Sequence, residues 1–322
     1  MNQFSLGNAW SKGVSFFSSQ ALNHAIVLIG LGVLVPTVVQ YAIAGGVTGM
    51  MNPAMMSGGI GTFSALGGAA VIAMIASYVL QLGSYFGSWR LGFGEGEPLG
   101  GAVVYGLIAG VLVIVAFVAV FIVAGIVLQA SPTVGAIVMA LLLLPLFAAL
   151  YTVWAALIAV VMFLLMLIVL AFGASMSQMN PAAAFTGGGA LAVLFILVLL
   201  ALLLWLTARF SCTTSIMADR RTFNLMTGLS ESWRLTATNQ WRIVGYLALL
   251  SVVLMVLFVV LAMILGAGLA QGLQSGGVPQ IGFGMIVGAI IVSIPLAYLT
   301  VLVPAGIYRE LGGGETSAKV FA

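Results

Sequence analysis

From Val134 to Phe172 the chain runs for nearly 40 residues without one charged side chain. As a single helix this tract would be about 60 Å long at roughly 1.5 Å per residue. The hydrocarbon core of a bilayer is about 30 Å thick. One straight crossing is therefore too long by about twofold. Two crossings joined by a tight turn fit, and Pro145 with Tyr151, Thr152 and Trp154 marks the turn region. Tyr and Trp favour the membrane interface, which puts the turn near Tyr151.

The rest of the chain is of the same kind. It is 63% hydrophobic and 5% charged, with a mean hydropathy of +1.29. A soluble domain carries about 25% charged residues, so this chain has too few to cover a water-facing surface. Hydropathy places further spans at about Ala25 to Ile43, Leu66 to Ser88, Ala102 to Leu128, Ala190 to Leu206, Ile243 to Leu265 and Phe283 to Ile307. Ile26 to Val39 followed by Ala42-Ile43-Ala44 has features of a signal peptide. The preceding segment is long and carries only Lys12 and His24, so it reads as a retained first span.

The basic residues give an independent test. Lys12, Arg90, the run Arg209, Arg220, Arg221, Arg234 and Arg242, then Arg309 and Lys319 share one side if the long tract crosses twice. Positive residues concentrate on the cytoplasmic side. The expectation is an all-α, polytopic helix bundle of about eight spans with both termini cytoplasmic, in a bacterial inner membrane. Seven spans, or six with a re-entrant segment, are the alternatives. The single membrane domain divides into 1–23, an amphipathic helix; 24–217, six spans; 218–240, an interfacial helix; 241–308, two spans; and 309–322, a tail. Gly45 to Gly68, Met176 to Gly189 and Ala270 to Gly282 read as connectors rich in small residues.

Two segments are neither loop nor span. Leu6, Trp10, Val14, Phe17 and Ala21 recur at three or four, with Asn8, Ser11, Lys12 and Ser15 off the stripe. Phe223, Met226, Leu229 and Trp233 repeat the pattern, with Glu231, Ser232, Arg234 and Asn239 off it. Each reads as an amphipathic helix lying in the interface. Each leads into a span, which hints at an internal repeat. Gly228 lowers helix propensity and suggests a local bend. Glu231 and Arg234, three apart, are placed to pair.

Arg209-Phe210-Ser211, Met217-Ala218-Asp219, Leu229-Ser230-Glu231-Ser232-Trp233-Arg234-Leu235-Thr236 and Asn239-Gln240-Trp241-Arg242-Ile243 carry a family resemblance. So does Phe4-Ser5-Leu6-Gly7-Asn8-Ala9-Trp10. These stretches resemble the membrane domain found with bacterial glycerophosphoryl diester phosphodiesterases and related inner-membrane families. The resemblance implies a helical membrane domain. It carries no phosphodiesterase activity, because the soluble barrel of the fused relatives has no counterpart in these residues.

Chemistry is sparse. The acids are Glu95, Glu97, Asp219, Glu231, Glu310 and Glu315, and the one histidine is His24. None falls inside the spans read from hydropathy. Glu95 and Glu97 lie in Gly94-Glu95-Gly96-Glu97-Pro98, which reads as a solvated turn rather than a catalytic pair. A zinc site needs three or four ligands, which His24 and Cys212 do not supply. One cysteine excludes an intrachain disulfide, and Cys212 reads as a small packed residue. Met50, Met51, Met55 and Met56 have copper-binding chemistry but read as loop residues of a chain with 16 methionines. No catalytic, cofactor or metal site is expected, and the net charge of +3 forms no basic stripe for nucleic acid.

Two sets of polar residues remain. Ser77, Gln81, Ser84 and Ser88 share a face of the second span and suit interhelical hydrogen bonds or a polar groove. Arg220, Arg221, Arg234 and Arg242 with Trp233 and Trp241 suit anionic lipid headgroups, and equally orient the adjoining spans. Gly83/Gly87, Gly106/Gly110 and Gly284/Gly288 allow helices to approach closely, within one chain or between subunits. The reading is a non-catalytic membrane protein that interacts with lipids, or with a second copy or another membrane protein. The alternative is a transporter or flippase without intramembrane charge.

Overall fold

The computed structural model describes residues 4–18, 20–40, 60–94, 96–176, 188–274 and 283–313. The helices are α1 (Leu6–Ser18), α2 (Ala21–Gln40), α3 (Ile60–Phe93), α4 (Leu99–Ala130), α5 (Pro132–Leu150), α6 (Thr152–Met176), α7 (Gly188–Phe210), α8 (Thr213–Asp219), α9 (Leu225–Thr236), α10 (Gln240–Gln274) and α11 (Phe283–Glu310). Among the described residues there is no strand. Six segments are long and apolar enough to cross a membrane: Ala21–Gln40, Val71–Phe93, Leu99–Gln129, Leu194–Asp219, Gln240–Val259 and Val287–Glu310. The chain is therefore a multi-pass membrane protein by its helices. The 134–172 tract is broken at Tyr151, where Leu142–Leu150 and Thr152–Met166 are bent by 116°. Pro145 inside α5 removes a backbone donor six residues before the break. The break closes locally: Tyr151 N–H donates to Phe147 O at 2.9 Å, and the two rings stack with centroids 5.5 Å apart.

Packing follows the rules of lipid rather than water. Large apolar side chains face outward, including Val115, Phe121, Ile122 and Ile126 of α4 and Phe195 and Val198 of α7. Small and hydroxyl residues are buried, including Ser84, Ser88, Thr207, Ser211, Thr213, Ser215, Ser232 and Thr236. Lipid tails give no hydrophobic drive for helix association, so close approach and hydrogen bonding hold the bundle. The hairpin of α3 and α4 shows this. A Cβ on Gly106 would strike Gly83 O and the Gly87 backbone, and one on Gly110 would lie 2.8 Å from Val79 O. These glycine pairs make an internal contact. Of the third pair, Gly284 lies where side-chain surroundings are not described.

Several boundaries move. Helix begins at Ile60, so 60–68 of the expected connector is helical, as are 188–189 and 270–274 of the others. The remainder of those connectors and the four clustered methionines lie outside the described residues. α2 starts at Ala21, which brings His24 into the first membrane-length helix, fully buried, with Nδ1 2.6 Å from Ser88 Oγ. Its π-helical stretch Ile26–Leu34 widens the turn just before Pro36, which has no N–H to give.

The two short helices are present, and their inner faces differ from the apolar stripes. α1 buries Ala9, Gly13 and Phe16, and α9 buries Gly228, Ser232 and Thr236. Leu6, Trp10 and Val14, and likewise Phe223, Met226 and Trp233, are exposed. The stripe sits roughly a quarter-turn or more round from the buried face, given 3.6 residues per turn. Each helix therefore has three sides: small against the bundle, apolar outward, and polar. Gly228 makes no bend; its Cβ position is 2.9 Å from Met217 Cγ and 3.0 Å from Thr213 Cγ2, so glycine serves close packing. Asn224 caps α9, its Oδ1 accepting from Met226 N at 3.1 Å and Thr227 N at 3.3 Å.

Candidate functional site

The charged residues whose partners are described gather at one end of the bundle, where α3, α8 and α11 finish and α4, α9 and α10 begin. Arg90, at the end of α3, donates to Ala218 O at 2.9 Å and Asp219 O at 3.3 Å, and pairs with Glu97 at 2.8 Å. Arg221 also donates to Glu97. Tyr105 OH donates to Met217 O at 2.9 Å, and Tyr308 OH to Asp219 Oδ2 at 2.8 Å. Arg309 donates to Gly92 O at 3.0 Å and lies over the Phe16 ring at 4.9 Å. Lys12 pairs with Glu310 at 3.1 Å. These contacts clamp α8 against the ends of α3, α4 and α11. They form a polar lid over the bundle.

Glu97 is thus no solvated turn residue: its side chain is 8% exposed and holds two arginines. Burial pushes its carboxyl up, but the hydrogen bonds from Arg221 and Arg90 outweigh that and hold it below the usual carboxylate range. Glu231 pairs with Arg220, not with Arg234. Arg220 reaches it from the end of α8, and the ionic contact joins two helices instead of two turns of one.

The six residues expected to meet lipid headgroups fall in separate places. Arg220 and Arg221 are committed to carboxylates. Arg242 donates to Phe4 O at 3.4 Å, fastening the start of α10 to the segment just ahead of α1. Arg234 is exposed, and Trp241 is 70% exposed at the start of α10. Trp233 stacks on Arg209, whose guanidinium carbon is 4.0 Å from its ring centroid. Arg209 was grouped with the aqueous cluster by sequence, yet α7 continues to Phe210 and buries it. The signal was present as Trp205 one turn before Arg209.

A cavity of about 550 Å³ lies between α3, α4, α5 and α6. Its walls are mainly aromatic, including Tyr78, Tyr85, Phe117, Phe147, Tyr151 and Trp154, with Gln81 between them. It exists because the broken tract turns at Tyr151 and leaves space beside α3. Tyr78, Phe121 and Ile158 on its rim are exposed, so it opens on the flank of the bundle. Gln81 is nine residues before Arg90, roughly 13 Å along the helix. None of its lining residues is charged. Of the polar set on α3, only Gln81 lines it. Ser77 and Ser84 donate to Ala73 O and Gln81 O of their own helix, and Ser88 meets His24. Ligand pockets of this size, mostly apolar with a few polar groups, suit small amphiphiles.

Comparison with family models, curated proteins and solved structures finds no match for this chain. The resemblance noted for the stretches between Arg209 and Ile243 and for Phe4 to Trp10 rests on those residues alone.

Proposed function

We propose that this chain is a non-catalytic, eight-span protein of a bacterial inner membrane that holds an uncharged, lipid-like molecule in the aromatic cavity. The observation that carries the reading is the cavity itself: flank-opening, charge-free, and edged by phenol, amide and indole groups. A site with no charged lining residue that opens on the apolar flank favours a neutral guest, because a charged one would be left unpaired. Tyr78, Gln81 and Tyr151 supply polar contacts for one end of the molecule, and the aromatic faces hold the rest.

The break at Tyr151 supports counting the 134–172 tract as two crossings. Leu146 and Leu150 pack with Trp89, Met217 and Ala218 near the charged end, while α6 leaves that region beside α7 and α10. The charged end is then cytoplasmic by the positive-inside rule. The resemblance to phosphodiesterase-associated membrane domains agrees with a lipid role and adds no substrate. A transport reading has one observation in its favour, the position of the cavity at an interrupted helix.

Native mass spectrometry of the purified full chain tests the proposal. One neutral lipid-like molecule should be retained, and Ile114→Trp, which fills the cavity, should release it. Retention unchanged in Ile114→Trp, or no retained molecule, would sink the reading. Movement of the bound molecule between the leaflets of reconstituted vesicles would favour transport over storage.

A further inference from the structure

Arg209 is the least compensated buried cation among the described residues. It is only 4% exposed, its Nε is buried without a partner, and no carboxylate or carbonyl accepts from its guanidinium. What it has is aromatic: Trp233 at 4.0 Å and Trp205 at 6.0 Å from the guanidinium carbon. Its carbonyl, by contrast, is well used, accepting from Ser232 Oγ at 2.9 Å and Thr236 Oγ1 at 3.1 Å. Those bonds fix α9 over the end of α7 and bring Trp233 onto the cation. Arg309 makes the useful contrast. It too stacks on aromatic rings, but it also donates to Gly92 O. A buried charge without a counter-ion costs several kcal/mol, so a partner outside the chain is expected to supply one.

The surface below Arg209 identifies that partner. Phe195, Val198, Leu202, Trp205 and Arg209 recur at three or four along α7 and so share one face. Phe195, Val198 and Leu202 are exposed. The track from Phe195 to Arg209 is about 20 Å long at 1.5 Å per residue, and one leaflet of hydrocarbon is roughly 15 Å deep. A cation at the head of an apolar track of leaflet depth matches a phospholipid, phosphate at the top and acyl chain below. Guanidinium suits phosphate, being planar, weakly hydrated and able to give two parallel hydrogen bonds while stacked on indole.

We propose that Arg209, framed by Trp205 and Trp233, binds the phosphate of an anionic phospholipid whose acyl chain lies along Leu202, Val198 and Phe195. This site is separate from the cavity between α3 and α6 and does not depend on what fills it. The phosphate at Arg209 is a lipid's and not free phosphate, since the apolar track continues below it. A single unpaired cation with no nearby carboxylate selects net negative charge over a zwitterion.

The test uses the full chain, delipidated by detergent exchange and followed by native mass spectrometry during titration. Phosphatidylglycerol should bind at one high-affinity site, about tenfold tighter than phosphatidylcholine of the same acyl length. Arg209→Gln should weaken phosphatidylglycerol at least tenfold, and Arg220→Gln, on a cation already paired with Glu231, less than twofold. Millimolar inorganic phosphate should not displace the lipid. Should Arg209→Gln fail to fold, Leu202→Asn on the exposed track should still weaken the lipid several-fold. Wild-type affinity in either variant, equal binding of the two lipids, or displacement by inorganic phosphate would each overturn the site.

Discussion

α1 and α9 are built to the same plan with different fastenings. Leu6, Ala9, Trp10 and Gly13 correspond in spacing to Leu229, Ser232, Trp233 and Thr236. In both helices the tryptophan, Trp10 or Trp233, is exposed and the small residues beside it are buried. Each helix seats on the charged end of a span: α1 on α11, α9 on α7 and α8. The contacts then diverge. α1 meets α11 backbone to backbone, since a Cβ on Gly306 would strike Ala9 O and one on Gly13 would lie 2.8 Å from Leu302 O. α9 is fastened by hydroxyls: Ser232 donates to Arg209 O and accepts from Cys212 N at 3.2 Å, and Thr236 donates to Arg209 O. A small inner face is thus the common requirement. Glycine or hydroxyl satisfies it, the first by distance and the second by hydrogen bonding.

The largest test of that difference is an alanine at each glycine. Gly306→Ala pushes into a carbonyl that belongs to a helix backbone and cannot swing aside. We expect a loss of about 2–3 kcal/mol, the upper part of the overpacking range. Gly228→Ala meets mainly Met217 Cγ and Thr213 Cγ2, the first on a flexible side chain, and should cost about 1 kcal/mol. Reversible unfolding in mixed micelles measures both. Equal losses would show that the two helices are fastened alike.

The small inner faces also explain what sequence could and could not tell. Apolar runs in lipid need only length, so the six membrane-length helices and the break at Tyr151 were legible from hydropathy and one oversized tract. The short helices were legible from period, through Trp10 and Trp233. Their orientation was not. In water an apolar stripe marks the core, and in lipid the same stripe faces out, so Ala9, Gly13, Ser232 and Thr236 were passed over. Glu97 looked solvated because Arg90 lies seven residues back across a glycine-bearing turn and its second partner, Arg221, is far away in sequence. Arg209 looked like a loop charge because the hydropathy of α7 fades before the helix ends. The cavity depends on how α5 and α6 splay, which no local pattern encodes.

A middle-sized effect separates how the two helices are entered. Ahead of α9, Arg221 stands at φ 51°, a left-handed conformation uncommon for a side chain, and is tied to Glu97. Because the folded state holds the Glu97 carboxyl below its ordinary range, that contribution is fully present above the unfolded carboxylate pKa of about 4.3. It is lost as pH falls through the lower, folded value. The wild-type chain should therefore lose stability on acidification below about pH 4.3. Glu97→Gln, which lacks the titrating group, should be less stable at pH 7 and flatter with pH. The same acid dependence in both would remove Glu97 as the tie.

The smallest effect concerns the outer ion pairs, Lys12–Glu310 on α1 and Arg220–Glu231 on α9. They look equivalent and both bridge a short helix to its support. Their cations are exposed, Lys12 at 36% and Arg220 at 53% of the side chain. Exposed pairs are worth about 0–1 kcal/mol, because water already solvates both ions and ordering long side chains costs entropy. Lys12→Ala and Arg220→Ala should each change stability by no more than about 0.5 kcal/mol. Lys12 should be the larger of the two, since its ammonium also donates to Arg309 O at 3.2 Å and Glu310 accepts from Ser5 N at 3.2 Å. Added salt should erase most of what remains, as screening weakens solvent-facing charges. A loss above 2 kcal/mol in either variant would mean that charge, and not the small inner face, holds that helix in place.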